Sequence, residues 1–326
     1  FKKVEVSDLA SNKLDKVTSS GVERAYIINS DGTQSTKPTS ELYNDETLAG
    51  DVIKRISVHS KNEVIYNEAT VNENGIAISD ADLDDTRFFI KVGTKYYQQV
   101  TSDEINVADF GILPDGNDQT ARLNKLLQRI RKTGSVLSFG VGTFKFDGQI
   151  VIPNNGFQTG TDAFTQNSIT IKGAGGWHSG QQQQLNPVMG GTIFKLSFQA
   201  ANYYDAKIVT RGLGRFTLRD LNVYSTVAAD TTPLFMTTMT TVHIVGCAFR
   251  GVKPATGKPN IDAIGLGGTR KAINGVETGY DDPNFAFQGY GSVIERCYFD
   301  YVDKVVYMRS YANHIVFRDN FVEKTC

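Results

Sequence analysis

The stretch Asn106-Val-Ala-Asp-Phe-Gly-Ile-Leu-Pro-Asp-Gly-Asn-Asp-Gln-Thr120 decides how the chain is read. It is dense in turn-forming residues and runs straight into the one strong helical pattern of the sequence. Leu123, Leu126, Leu127 and Ile130 fall at i, i+3, i+4 and i+7, Asp118 is the expected N-cap, and Gly134 stands where the helix should stop. Such an apolar stripe must cover something. The opposite face carries Arg122, Lys125, Arg129, Arg131 and Lys132, which reads as a solvated face.

On the N-terminal side the texture differs. Ser7 to Ser40 is polar, with one short apolar run at Ala25 to Ile28, and fits an extended arm or a small β segment. Val52 to Val58, Val64 to Tyr66, Phe88 to Val92 and Tyr96 to Val100 are β-like runs separated by turn residues, so a small antiparallel β domain is expected within residues 1–104.

On the C-terminal side helical periodicity vanishes. Short alternating runs take over at Val136 to Phe139, Thr143 to Phe146 and Ser168 to Lys172. A repeat then emerges: apolar, two residues, small or polar, one residue, apolar. It occurs at Leu218-Arg-Asp-Leu-Asn-Val223, Ile244-Val-Gly-Cys-Ala-Phe249, Ile294-Glu-Arg-Cys-Tyr-Phe299 and, less cleanly, Val316-Phe-Arg-Asp-Asn-Phe321. The spacings are 26 (218 to 244), 50 (244 to 294) and 22 (294 to 316). One coil of a β solenoid takes about 20 to 30 residues. The 50-residue step is therefore two coils, or one coil with a long excursion in Gly251 to Gly291. Cys247 and Cys297 occupy equivalent positions and read as stacked core thiols.

Composition narrows the classes. Among 326 residues, 40% are hydrophobic, 21% charged and 10% aromatic, which excludes a wholly disordered, collagenous or coiled-coil chain. The 34 basic residues nearly balance the 35 acidic ones, so the net charge of -1 supplies no overall field for nucleic acid or anionic membrane. Thirty-one glycines against 8 prolines, with 19 Phe and 14 Tyr, fit turn-rich β structure. Cys247, Cys297 and Cys326 are too few and too scattered for a disulfide scaffold or zinc site. No run approaches the roughly 20 apolar residues of a membrane span. Neither metal nor cofactor is expected. The glycine clusters at Gly173 to Gly176, Gly212 to Gly214 and Gly265 to Gly268 lack a following helix and mark turns between rungs rather than nucleotide loops.

Asp109-Phe-Gly111, Asp115-Gly116 and Asp118-Gln-Thr120, followed by Phe139-Gly-Val-Gly-Thr-Phe144 and Ile171-Lys-Gly-Ala-Gly175, resemble the entry motifs of the pectate-lyase-like superfamily of right-handed parallel β-helices, as found in phage tailspikes and preneck or tail appendages. Gly140 and Phe144 replace a usual proline and tyrosine. The resemblance spans residues 105–326. It implies a mainly β chain with an N-terminal capping helix on a β-helix, preceded by the small β domain of residues 1–104. Val316 to Cys326 still reads as rung sequence, so the β-helix is expected to be C-terminally incomplete.

In function, the resemblance implies a virion protein that binds host cell-surface glycan during adsorption. Residues 1–104 would attach it to other virion proteins, and the molecule would be a homotrimer with no nucleic-acid partner and no membrane insertion. A free polysaccharide lyase or glycoside hydrolase is the first alternative, and a ligand-free structural connector the second. Catalysis would need clustered acids or a calcium site with a basic residue. Asp281, Asp282 and Glu295 are the candidate acids; Asp220, Asp300 and Asp319 lie on or beside rungs without forming a calcium motif. Glycan-binding candidates are Trp177 and His178 in one polar excursion, and Asp262, Arg270, Lys271 and Tyr280 in the second. His59, His178, His243 and His314 share no metal-ligand spacing, and His243 and His314 are expected to face outward from the rungs.

Overall fold

The computed structural model describes residues 24–28, 34–38, 52–56, 60, 62–153, 168–175, 191–200, 206–210, 215–227, 231–237, 241–266, 272–273, 276–277, 291–308 and 314–323. The chain falls into two units: Phe1–Ser102 with Ala108–Gly111, and Asp103–Val107 with Ile112–Cys326. The Asp-Phe-Gly segment thus belongs to the first unit, while the strand just before it belongs to the second.

Strands β1 (Arg24–Ile28), β2 (Gln34–Pro38), β3 (Val52–Ile56), β4 (Glu63–Glu68), β5 (Phe89–Val92) and β6 (Lys95–Gln99) form one antiparallel sheet in the order β2-β1-β3-β4-β6-β5. Alternation drives it: Ile53, Val64, Tyr66, Ile90, Val92 and Tyr97 face one core. The buried Tyr66 hydroxyl donates to the Arg87 carbonyl at 2.7 Å, which satisfies its polar end. The polar segment before Asp51 contributes the hairpin β1-β2 rather than an arm alone.

The second unit opens with β7 (Glu104–Asn106) and α1 (Thr120–Ile130). Leu123, Leu126, Leu127 and Ile130 are buried, as the stripe predicts. The N-cap falls one residue later than expected. Gln119 holds the N-cap position, while Asp118 Oδ1 accepts from the Thr120 amide at 3.0 Å, the Thr120 hydroxyl at 2.6 Å and the Asp147 amide at 2.9 Å. Asp118 therefore ties the first turn to the chain after the Phe144 strand. Gly134, at φ +66°, ends the helical segment by donating to the Ile130 carbonyl.

From Ser135 the chain visits three sheets in fixed rotation. β8 (Ser135–Ser138), β9 (Gly142–Phe146) and β10 (Ile150–Ile152) make the first round. The second is β11 (Ser168–Lys172), β12 (Thr192–Leu196) and β13 (Ile208–Thr210); the third is β14 (Arg215–Arg219), β15 (Asn222–Ser225) and β16 (Phe235–Thr237). Next come β17 (Thr241–Val245), β18 (Ala248–Arg250) and β19 (Ile264–Leu266), then a two-stranded antiparallel pair, β20 (Ala272–Ile273) with β21 (Val276–Glu277). The rotation resumes with β22 (Val293–Glu295), β23 (Tyr298–Asp300) and β24 (Val306–Met308), and continues into β25 (Val316–Arg318) and β26 (Phe321–Glu323). Every pairing within the three sheets is parallel. Sheet 1 runs β7-β8-β11-β14-β17-β22-β25, sheet 2 β9-β12-β15-β18-β23-β26, and sheet 3 β10-β13-β16-β19-β24.

The register resolves two points of the repeat. Ile244 pairs with Ile294 and Phe249 with Phe299, so the 50-residue step is one round carrying an excursion. The last repeat is displaced by one residue: Phe317, not Val316, pairs with Ile294, and Val322 with Phe299. Inward positions of the three sheets meet in one core, with Phe216 stacked on Phe235 at 5.9 Å and Phe299 against Phe317 at 6.0 Å. Among the described residues, the final strands β24, β25 and β26 have a neighbour on one side only, and there Phe317 is 45% and Val322 42% exposed. Among the described residues no helix is long and apolar enough to cross a membrane.

Candidate functional site

The outer side chains are aimed by a repeated bend between sheets 1 and 2. Asp220, Gly246, Arg296 and Asp319 each follow a strand of sheet 1 and adopt φ of +52° to +62°. Only glycine enters this left-handed region without cost, so the other three positions are held there by the surrounding pairing. The next residue turns inward, placing Leu221, Cys247 and Cys297 in the core. In the last round the inward residue is Asn320, whose Oδ1 accepts from the Cys297 amide at 2.8 Å and whose Nδ2 donates to the Ile294 carbonyl at 3.0 Å. Burial pushes the Cys297 thiol up to about 11 and the Cys247 thiol well above its ordinary value. Both sulfurs are inert core groups, as their place in the repeat predicts.

Two residues after each bend, sheet 2 begins, and its outer row is a line of polar side chains. Lys145, Lys195, Tyr224, Arg250, Asp300 and Glu323 are successive register partners, one per strand. Parallel neighbours lie about 4.8 Å apart, so the six form a track across the strands. Asp300 is wholly buried and pairs with Arg250 at 3.1 Å. The Arg250 guanidinium lies over the Tyr301 ring at 5.5 Å, and Tyr301 itself sits at φ +51°. Beside it Gly251 is obligatory in space, because a Cβ there would stand 2.1 Å from the Tyr301 carbonyl oxygen. At the end of the row the Tyr298 hydroxyl donates to Glu323 Oε2 at 2.5 Å. Burial, and then that carboxylate, push the Tyr298 hydroxyl above its ordinary range, so it stays a donor.

Sheet 1 presents a different surface. Glu295 accepts from Arg318 Nη2 at 2.5 Å and meets His243 Nε2 at 3.2 Å. The Arg318 guanidinium, followed by His243, holds the Glu295 carboxyl below the usual range despite the opposing effect of desolvation. Lys172 pairs with Glu104 at 2.9 Å and Arg219 with Asp220 at 2.8 Å. This face is tiled with local ion pairs. His243 projects outward from it, whereas His314 lies in the turn before β25 at φ +55°.

Of the residues singled out in the sequence, Trp177, His178, Arg270, Lys271, Tyr280, Asp281 and Asp282 lie outside the described residues, as does His59. Glu295 stands in the ion-paired cluster of sheet 1. Asp262 is buried at the entry to β19 and faces Lys304 at 3.4 Å. These two acids thus stand on different elements with different partners. Sequence reasoning passed over most of the sheet 2 row, although a signal existed: Tyr224, Arg250 and Asp300 each follow the last apolar residue of a repeat. Among the described residues no group of three His, Cys, Asp or Glu could hold a metal ion. No protein-family model matches the chain, and no curated protein shows significant similarity to it.

Proposed function

We propose that residues 105–326 wind as a right-handed parallel β-helix of the pectate-lyase-like kind, and that the protein is a phage tailspike or tail-appendage protein that binds host cell-surface polysaccharide. One observation carries the reading: the strict rotation of the chain through three parallel sheets, entered through α1 and the Asp109-Phe-Gly111 and Asp118-Gln-Thr120 motifs. A β-helix of this kind offers rigid outer rows that hold polar groups at fixed spacing, which suits an extended polymer. In the same reading, residues 1–104 attach the protein to the virion and three copies associate, so that weak sugar contacts add by avidity.

Glycoside hydrolysis needs one acid that keeps its proton near neutral pH, and the Arg318 guanidinium and then His243 hold the Glu295 carboxyl below its usual range, which speaks against that role for Glu295. The test incubates the protein with immobilised envelope polysaccharide from candidate hosts and follows retention, reducing ends and the absorbance of unsaturated uronates. Retention without products is expected. Products would make it an enzyme, and neither retention nor products on any envelope would leave a connector.

A further inference from the structure

We infer that the outer row of sheet 2 is the track that takes the glycan, that the glycan is anionic, and that Lys195 and Tyr224 form its centre. The inference rests on the glycan-binding reading and assigns it a surface. The three sheets differ in what their outer positions offer. In sheet 3 every residue of the middle strands β13, β16 and β19 is buried, outward positions included, so the centre of that face is covered. In sheet 1 the outward charges are met locally, Lys172 by Glu104, Arg219 by Asp220, and Arg318 by Glu295.

Among the described residues, the sheet 2 row is open over β9, β12 and β15 and mixed in chemistry, before it closes at the buried Asp300. Its flanking cations are already engaged: Lys145 by Asp147 at 2.6 Å, and Arg250 by the buried Asp300 at 3.1 Å. Between them Lys195 is exposed and Tyr224 half-buried, and among the described residues neither side chain makes a hydrogen bond or ion pair. A register-adjacent ammonium and phenol on rigid strands can take an acidic sugar as a unit. The ammonium meets the acid group, and the phenol ring lies against the apolar face of a pyranose while its hydroxyl bonds a sugar hydroxyl. The row also has a direction. The cations Lys145 and Lys195 stand toward β9, whereas Glu323 stands at the β26 end, held by Tyr298. An anionic group is therefore placed over Lys195, and uncharged hydroxyls face Glu323.

The experiment measures binding of the intact chain to polygalacturonate, alginate and hyaluronan by isothermal titration, with dextran and carboxyl-reduced polygalacturonate as uncharged controls. At least one acidic polymer is expected to bind, the uncharged ones not, and binding should weaken with salt. Lys195→Ala and Tyr224→Ala should each weaken it about tenfold, as loss of a charged or aromatic contact does. Lys172→Ala on sheet 1 should leave it unchanged. Both tested positions are at the surface, and an unchanged melting temperature checks the fold of each variant. Wild-type affinity in both variants overturns the track and leaves the glycan-binding reading standing. Failure of all three acidic polymers to exceed dextran overturns the anionic assignment, and absence of binding to any host envelope in the retention test overturns the underlying reading as well.

Discussion

Gly251 sits where the chain leaves β18 and passes under the Tyr301 carbonyl, and only the absence of a side chain allows that approach. Gly251→Ala must push the Tyr301 backbone away and with it the adjoining Asp300. A loss of about 1–3 kcal/mol is expected, the usual cost of overpacking. The urea midpoint measures it, and an unchanged midpoint would show that the contact carries no constraint. The thiols make a second test at this scale. Burial raises both Cys247 and Cys297, and they lie in the core. In a Cys326→Ser background neither should react with a thiol reagent at about pH 8 until the protein is denatured. The repeat pattern alone located these two side chains, because an inward position in a stacked strand leaves few choices besides a small apolar group.

At the scale of elements, α1 depends on its apolar stripe and on Asp118. Leu126→Ala removes a fully buried side chain and should cost about 2–5 kcal/mol, read from denaturant unfolding. Asp118 adds a dependence on acid. Burial pushes its carboxyl up, but hydrogen bonds from Thr120 and from the Asp147 amide outweigh this and leave it below its ordinary 3.8. A folded value below the unfolded one gives stability that is fully present above the unfolded value and is lost as pH falls through the folded value. Asp118→Asn should therefore lower stability near neutral pH and flatten its decline below about pH 4, as urea midpoints across an acid series would show. An unchanged acid limb would remove Asp118 from that role. The helix and its stop were legible because a period of 3.6 and a glycine at the end are local signals. The exact cap was not. Asp118 bonds to Asp147, which is distant in sequence, and that contact arises only once β9 is in place.

At the scale of the whole molecule, the three parallel sheets end in β24, β25 and β26, which have no strand on their far side among the described residues. Their amides should exchange with solvent faster than those of β11 to β18, which are flanked on both sides, and hydrogen-exchange mass spectrometry by peptide measures this. Equal protection would contradict the strand order. The sequence by itself determined that the chain is mainly β, that one amphipathic helix covers part of it, and that inward apolar positions recur from Leu218 onward. Burial imposes these as one-dimensional patterns that survive without knowledge of any partner strand. The tertiary structure decided the rest. Val316 and Phe317 are both apolar, so only pairing with Ile294 shows which one faces inward. A 50-residue step has the same length whether it holds two coils or one coil with an excursion, and the direct pairing of β17 with β22 chooses between them. The row from Lys145 to Glu323 exists only through register, because side chains up to about 180 positions apart become neighbours when parallel strands stack about 4.8 Å apart.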